Sequence, residues 1–178
     1  MRWEPFQFRG KIYDLAHLHP RLLTYEQPAK GDAPARVYRV EVIFGLHCFT
    51  RAMDQDQPHD NALLYRDDRE TRVFDFARYE LSKRLPEIIE GLAARKCYHT
   101  GKGNFFTVEI VREDGAVIEY DIFFAASRSG ARGKINLFVQ SAYVRDANYA
   151  SSRPHRKPIG FYVILFNTLN RKRITAPK

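Results

Sequence analysis

Between residues 37 and 51 the chain alternates apolar and polar positions. Tyr38, Val40, Val42, Phe44, Leu46 and Cys48 fall on one side, and Arg39, Glu41, His47 and Arg51 on the other. A period of two over this length predicts a long, half-buried strand. Phe105–Val111 and Val117–Ala126 carry strand patterns on either side of Arg112-Glu113-Asp114-Gly115-Ala116, where the Asp-Gly pair signals a hairpin. Ile135–Arg145 predicts a further strand. Ile159–Leu169, apolar on both sides, predicts a central one. Phe6–Arg9 and Lys11–Leu15 suit a short hairpin or a covering arm near the start. Only one stretch has helical spacing: Leu81, Leu85, Ile88 and Leu92 recur at i, i+4, i+7 and i+11. The predicted helix covers about 75–94, with Asp75 as N-cap and a kink or break at Pro86, which lacks an N–H. Gln27–Pro34 and Met53–Asp60 predict exposed loops.

The expected order is β-β-β-α-β-β-β-β. This is an α+β fold with a single, mainly antiparallel sheet of about six to seven strands and one principal helix on one face. No repeat, low-complexity tract or linker divides the chain, so residues 1–178 are expected to form one domain. Thirteen Phe and ten Tyr against two Met suit β-rich packing. The longest apolar run, Phe161 to Phe166, is far too short for a membrane span. Met1-Arg2-Trp3-Glu4-Pro5 has no apolar stretch of the kind a secretory signal uses. With two cysteines and no disulfide framework, a reducing cytoplasm is the expected location.

Charge changes the picture more than composition does. The net charge is +8, and it is uneven. Residues 1–40 hold 7 basic and 4 acidic side chains, 41–90 hold 7 and 11, 91–145 hold 8 and 5, and 146–178 hold 7 and 1. A basic second half attracts phosphate polyanions, so nucleic acid, with RNA favoured, is the expected partner. Lys102, Arg128, Arg153, Arg156 and Lys157 are its candidate contacts. The acidic 54–90 region is a candidate docking face for a protein partner. No membrane partner is expected.

Two segments carry candidate chemistry. Lys96-Cys97-Tyr98-His99-Thr100-Gly101-Lys102-Gly103-Asn104 gathers an imidazole, an ammonium and two glycines. Its glycines suit close approach to an anion, but Gly-x-x-x-x-Gly-Lys-Ser/Thr is absent and a triphosphate site is not expected. The plain alternative is a helix C-cap at Gly101 with His99 and Lys102 exposed. The second segment is the end of the strand Ile135–Arg145. There an apolar face continues as Ser141, Tyr143 and Arg145, leaving the core for solvent or a site. Together His99, Tyr143 and Arg145, supported by Lys102 and Arg128, fit metal-independent RNA cleavage. This logic is similar to that of the barnase–EndoU–colicin–RelE class of small ribonucleases, by topology and residue type only. Metal is not expected. His47, Cys48, Cys97 and His99 could supply zinc ligands in type, but His47 and Cys48 point to opposite faces of one strand. No cofactor is implied.

A wider resemblance is carried by Phe8-Arg9-Gly10-Lys11-Ile12-Tyr13-Asp14-Leu15-Ala16-His17-Leu18-His19-Pro20, His47-Cys48-Phe49-Thr50-Arg51, Arg78-Tyr79-Glu80-Leu81-Ser82-Lys83, Cys97 to Phe106, and Gln140-Ser141-Ala142-Tyr143-Val144-Arg145-Asp146. The whole chain resembles bacterial proteins of plasmids and integrative elements labelled as stationary-phase growth adaptation or heat-shock proteins. The resemblance implies a bacterial, cytoplasmic accessory protein of a mobile element, and it supplies no catalytic residue. The function expected from all of this is a nucleic-acid-interacting protein, in its sharpest form a toxin-like, metal-independent endoribonuclease. The alternative is a non-catalytic binding module for nucleic acid or a host protein.

Overall fold

The computed structural model describes residues 2–53, 60–113, 116–131, 133–144 and 157–175. The chain opens with a hairpin, β1 (Phe6–Phe8) and β2 (Lys11–Tyr13), turned by Arg9 and Gly10 at positive φ. It continues through β3 (Arg21–Gln27) into the long β4 (Arg36–His47). Along β4 the expected alternation holds: Tyr38, Val40, Val42, Phe44 and Leu46 are buried. Three short strands follow: β5 (Thr50–Arg51), β6 (Leu64–Arg66) and β7 (Thr71–Phe74). They form a small sheet of their own, in the order β5-β7-β6. The pattern of the chain did not predict β3, β6 or β7, whose apolar positions are too few to show a period.

The predicted helix is present but divided. Asp75 caps α1 (Phe76–Ser82) by accepting from the Arg78 N–H, as expected. The break falls at Lys83-Arg84, ahead of the proline. Pro86 then sits at the second position of α2 (Leu85–Glu90), where a missing N–H costs nothing. A 3-10 turn over Leu92–Ala94 completes the span.

The rest of the chain builds the main sheet from β8 (Cys97–His99), β9 (Phe105–Glu113), β10 (Ala116–Arg128), β11 (Lys134–Val144) and β12 (Lys157–Ile159). Its seven strands run β12-β8-β9-β10-β11-β4-β3, all antiparallel except for the parallel β4–β11 pair. The fold is α+β, as expected. In β9 and β10, Glu113 pairs with Ala116, so the hairpin lies where the Asp-Gly signal put it; Asp114 and Gly115 themselves lie outside the described residues. So does most of the expected loop at 53–60.

One expected strand is a helix. Only Lys157–Ile159 of that region pairs in the sheet, and Phe161–Leu169 forms α3. Its buried residues, Phe161, Ile164 and Leu165, fall at i, i+3 and i+4, one helical stripe packed on the sheet. Phe161 meets Phe124 edge-on at 6.3 Å. An unbroken apolar run hides this period, which is why it passes for a buried strand.

The core lies between the sheet and α2–α3, with Val40, Val42, Phe44, Ile122, Phe124, Leu137 and Val139 from the strands and Leu85, Ile89, Ile164 and Leu165 from the helices. A second, aromatic cluster joins the N-terminal hairpin to the small sheet. Phe6 stacks on Phe74 at 4.0 Å, and Trp3 donates its Nε1–H to the Phe44 carbonyl at 3.0 Å. Tyr65 ties the small sheet to the same arm through Glu4 O, 2.7 Å away. Large planar side chains lock β7 in place at low cost in side-chain entropy. Among the described residues no helix is long and apolar enough to cross a membrane.

Candidate functional site

Strand β4 stops at His47, but its neighbour β11 runs on to Val144. The register shifts between Val139 and Ser141, so Ser141 pairs with His47, the last residue of β4, and β11 runs on past it. Helix α1 and the small sheet stand in that gap. The result is a cleft of about 750 Å³, bordered by His47, Arg51, Arg72, Asp75, Arg78, Ser141 and Tyr143 among others. Among the described residues that border it, three arginines face one carboxylate. They come from the 41–90 stretch, whose overall balance is acidic.

Local chemistry fixes each cation. Thr50 is fully buried; its hydroxyl donates to the Leu46 carbonyl at 2.8 Å and accepts from Arg72 Nε at 2.9 Å. Arg72 Nη1 reaches Glu70 Oε2 at 3.3 Å. Arg78 projects from the first turn of α1. Its Nη1 donates to the Thr50 carbonyl at 2.8 Å and the His47 carbonyl at 3.3 Å, and its guanidinium lies 5.3 Å from the Tyr143 ring centre. Burial pulls the Arg78 pKa down, with the like charge of Arg72 adding to it against Asp75. A guanidinium stays protonated even so. Arg51 is exposed, and among the described residues no carboxylate forms an ion pair with Arg51 or Arg78.

Beside the cleft is a smaller cavity of about 240 Å³ that shares His47 and includes Glu70 and Gln140. Asp67 shapes the β6–β7 turn by accepting from the N–H groups of Arg69 and Glu70, both at 2.9 Å. That turn delivers Glu70 to His47, with 2.7 Å between Oε1 and Nε2. Burial pushes the Glu70 carboxyl up, but the hydrogen bonds from His47 and Arg72 outweigh it and hold it below its usual range.

The structure separates the residues expected to act together. Tyr143 and Ser141 border the cleft, as the changing face of β11 predicts. His99 does not. Tyr98, Phe106 and Phe123 pair or stack in turn at 5.1 and 5.4 Å, and Phe123 stacks on Tyr143 at 5.7 Å, so these four share one face. His99 pairs with Phe105, and Phe105 with Phe124, on the other face. Three strand spacings, roughly 14 Å, add to that separation. His99 is buried, and its Nδ1 accepts the Gly101 N–H at 2.8 Å. Nor is Gly101 a helix cap. Cys97–His99 is a strand, and Gly101 and Gly103 turn the chain at φ +86° and +84°.

Lys102 is exposed in that turn, whose Asn104 donates to Gln140 Oε1 at 2.7 Å, beside the smaller cavity. Arg128 and Lys157 are exposed elsewhere, at the end of β10 and on the edge strand β12. Arg145, Arg153 and Arg156 lie outside the described residues. What the pattern of the chain missed is His47, Arg51, Glu70, Arg72 and Arg78. Alternation puts His47 and Arg51 on the polar side of the strand expected over 37–51, but only folding brings the others to them.

Two further clusters resolve as structure. Cys48 and Cys97 are buried thiols, each pushed up to about 12 by burial, and Cys48 donates to the Val139 carbonyl. Among the described residues no group of three His, Cys, Asp or Glu is placed to hold a metal ion. His17 Nε2 lies 2.8 Å from Ser82 Oγ, a spacing a nucleophile and base would have. Ser82 is fully buried and donates to the Tyr79 carbonyl at 2.7 Å, so the pair ties helix α1 to the chain before β3.

Comparison with known proteins covers almost all of these elements. The chain is similar to Protein YjaZ of Escherichia coli (strain K12), 31% identical over 179 residues that take in 99% of this chain and 96% of the relative. No solved structure matches it. The model of the YjaZ family matches residues 5–169, which include every residue of the arginine cleft, and the chain belongs to that family.

Proposed function

We propose that this protein binds single-stranded nucleic acid, RNA by preference, and that the arginine cleft takes a phosphate of its backbone. The observation that carries the reading is the holding of Arg78: carbonyls and a tyrosine ring fix it, and among the described residues no carboxylate forms an ion pair with it, Asp75 acting only as a nearby opposite charge. A guanidinium fixed in this way has donors left for a phosphate oxygen, and little side-chain entropy remains to be lost on binding. The neighbouring Tyr143 ring suits a ribose or base next to that phosphate, which favours a flexible single strand over a duplex. The exposed Lys102, Arg128 and Lys157 serve as outlying backbone contacts.

The test is fluorescence anisotropy with a labelled, 2′-O-methyl oligoribonucleotide over a range of salt. With about three phosphates neutralised, the logarithm of the binding constant should fall with the logarithm of salt at a slope of about −2. Arg51→Glu reverses an exposed charge at the rim and should weaken binding roughly tenfold at low salt. Absence of binding at low salt, or an unchanged affinity in Arg51→Glu, refutes the reading.

A further inference from the structure

We infer that His47 and Glu70 make the arginine cleft a centre for metal-independent RNA cleavage, with His47 as the base. The inference rests on the proposal that the cleft binds RNA, and it moves the catalytic imidazole away from His99.

The geometry is that of a base with its orienting acid. Glu70 accepts on both oxygens, from His47 at 2.7 Å and from Arg72 at 3.3 Å. An ionised acceptor on Nε2 fixes the proton of the neutral ring there and leaves the lone pair on Nδ1. Nδ1 has no hydrogen-bond partner among the described residues, and His47 is 41% exposed, so a substrate can reach it. Negative charge behind the ring also stabilises the imidazolium that forms when Nδ1 takes a proton. The cation for the reacting phosphate is adjacent: Arg78 Nη1 lies on the backbone carbonyl of His47 itself. By contrast, His99 accepts a backbone N–H on Nδ1 and is buried on the other face of the sheet.

These parts suffice for one reaction class. His47 Nδ1 takes the proton of a ribose 2′-OH, and the 2′-oxygen forms a bond to the adjacent phosphorus. The P–O5′ bond breaks with its electron pair going to O5′, which takes a proton from water. His47 then returns its proton to solvent. The products are a 2′,3′-cyclic phosphate and a 5′-hydroxyl end, with no change of oxidation state. Arg72 and Arg78 lie where they can offset the charge that builds on the phosphorane oxygens. A strand without a 2′-OH is bound but not cut.

The experiment pairs cleavage with binding, in EDTA. Wild type, His47→Ala and Glu70→Gln are incubated with a single-stranded oligoribonucleotide, and the ends formed are identified by mass. The same three proteins are titrated with the 2′-O-methyl version, which cannot react, and their thermal midpoints are compared. Expected are cyclic-phosphate ends from wild type and a loss of at least about 100-fold in His47→Ala, each protein being saturated with oligoribonucleotide so that a change in binding does not enter. Glu70 is a positioning residue, so its variant needs a different readout. Glu70→Gln should lower kcat more than it raises KM, and Glu70→Asp should recover part of the loss, a pattern that a merely structural role would not produce. Binding without cleavage overturns this inference and leaves the binding proposal standing; absence of binding overturns both. Equal cleavage by wild type and His47→Ala also overturns it.

Discussion

Thr50→Val removes one oxygen and nearly nothing else, at the point where fold and cleft meet. Thr50 is fully buried, and its hydroxyl serves two partners: the Leu46 carbonyl at 2.8 Å and Arg72 Nε at 2.9 Å. Valine fills the same volume, so no cavity opens. It takes one of two donors from the Leu46 carbonyl, which keeps only the longer bond from the Phe49 N–H at 3.4 Å, and it strands the Arg72 donor. Each loss costs about 1–1.5 kcal/mol, the second less than a fully buried ion because Arg72 keeps a 12% exposed side chain that water can reach. The sum is about 2–3 kcal/mol, which in a domain of this size lowers the thermal midpoint by roughly 4–12 °C. Thr50→Ser is the discriminating control. It keeps the hydroxyl and loses a buried methyl, at a cost of about 1 kcal/mol. Burial alone ranks valine above serine at a wholly buried site; the hydrogen bonds rank serine above valine. Urea denaturation of the two variants decides between them, and a valine variant as stable as the serine one refutes the reasoning. The valine variant should also bind the oligonucleotide more weakly, since Arg72 loses its tether.

Gly45 lies opposite the β11 bulge, where an added Cβ would come within 3.0 Å of the Gln140 carbonyl and 3.1 Å of that of Val139. Those are backbone atoms that cannot step aside, so Gly45→Ala should lose about 1–3 kcal/mol in urea, and a change under about 0.5 would show that the bulge yields. His17 is half-buried, and burial lowers its pKa below the usual 6.5. Below that value the unfolded chain takes up the proton more readily than the folded one, so stability is full above pH 6.5 and falls as the pH drops toward the folded pKa. His17→Gln should flatten the fall of the thermal midpoint below about pH 6.5; an unchanged slope would assign that acid lability elsewhere.

How much of this could be read from the chain depends on how far apart the contributing residues lie. Strand β4 and the hairpin of β9 and β10 show their alternation within a few residues, and so does the Asp75 cap. Strands β6 and β7 do not, because their pairing is set by aromatic contacts with the N-terminal arm, far away in sequence. Helix α3 was hidden for a different reason: with Val163 and Tyr162 as apolar as Ile164, only packing reveals which side is turned inward. For the cleft, Tyr143 and Ser141 were legible as a face leaving the core. His99 was misplaced because Cys97–His99 begins a strand, which sets the imidazole on the same buried side as Cys97. The basic half of the chain does not supply the arginines of the cleft. Net charge over a segment says nothing about which arginines fold inward, and Arg72 and Arg78 come from its most acidic part.

The parallel pairing of β4 with β11 sets the order in which the site can come into being. Cys48 and the Val139 carbonyl it contacts are 91 residues apart. While the ribosome is still making β9 and β10, Arg72, Arg78 and the His47–Glu70 pair are already synthesised, but the wall carrying Ser141 and Tyr143 does not exist. The 65 residues from Arg78 to Tyr143 take roughly 3–13 s at ordinary elongation speeds. Closing so long a loop is also slow in itself. A nascent or prematurely ended chain therefore displays the cations without the cleft, and any activity of the site begins only with the finished sheet.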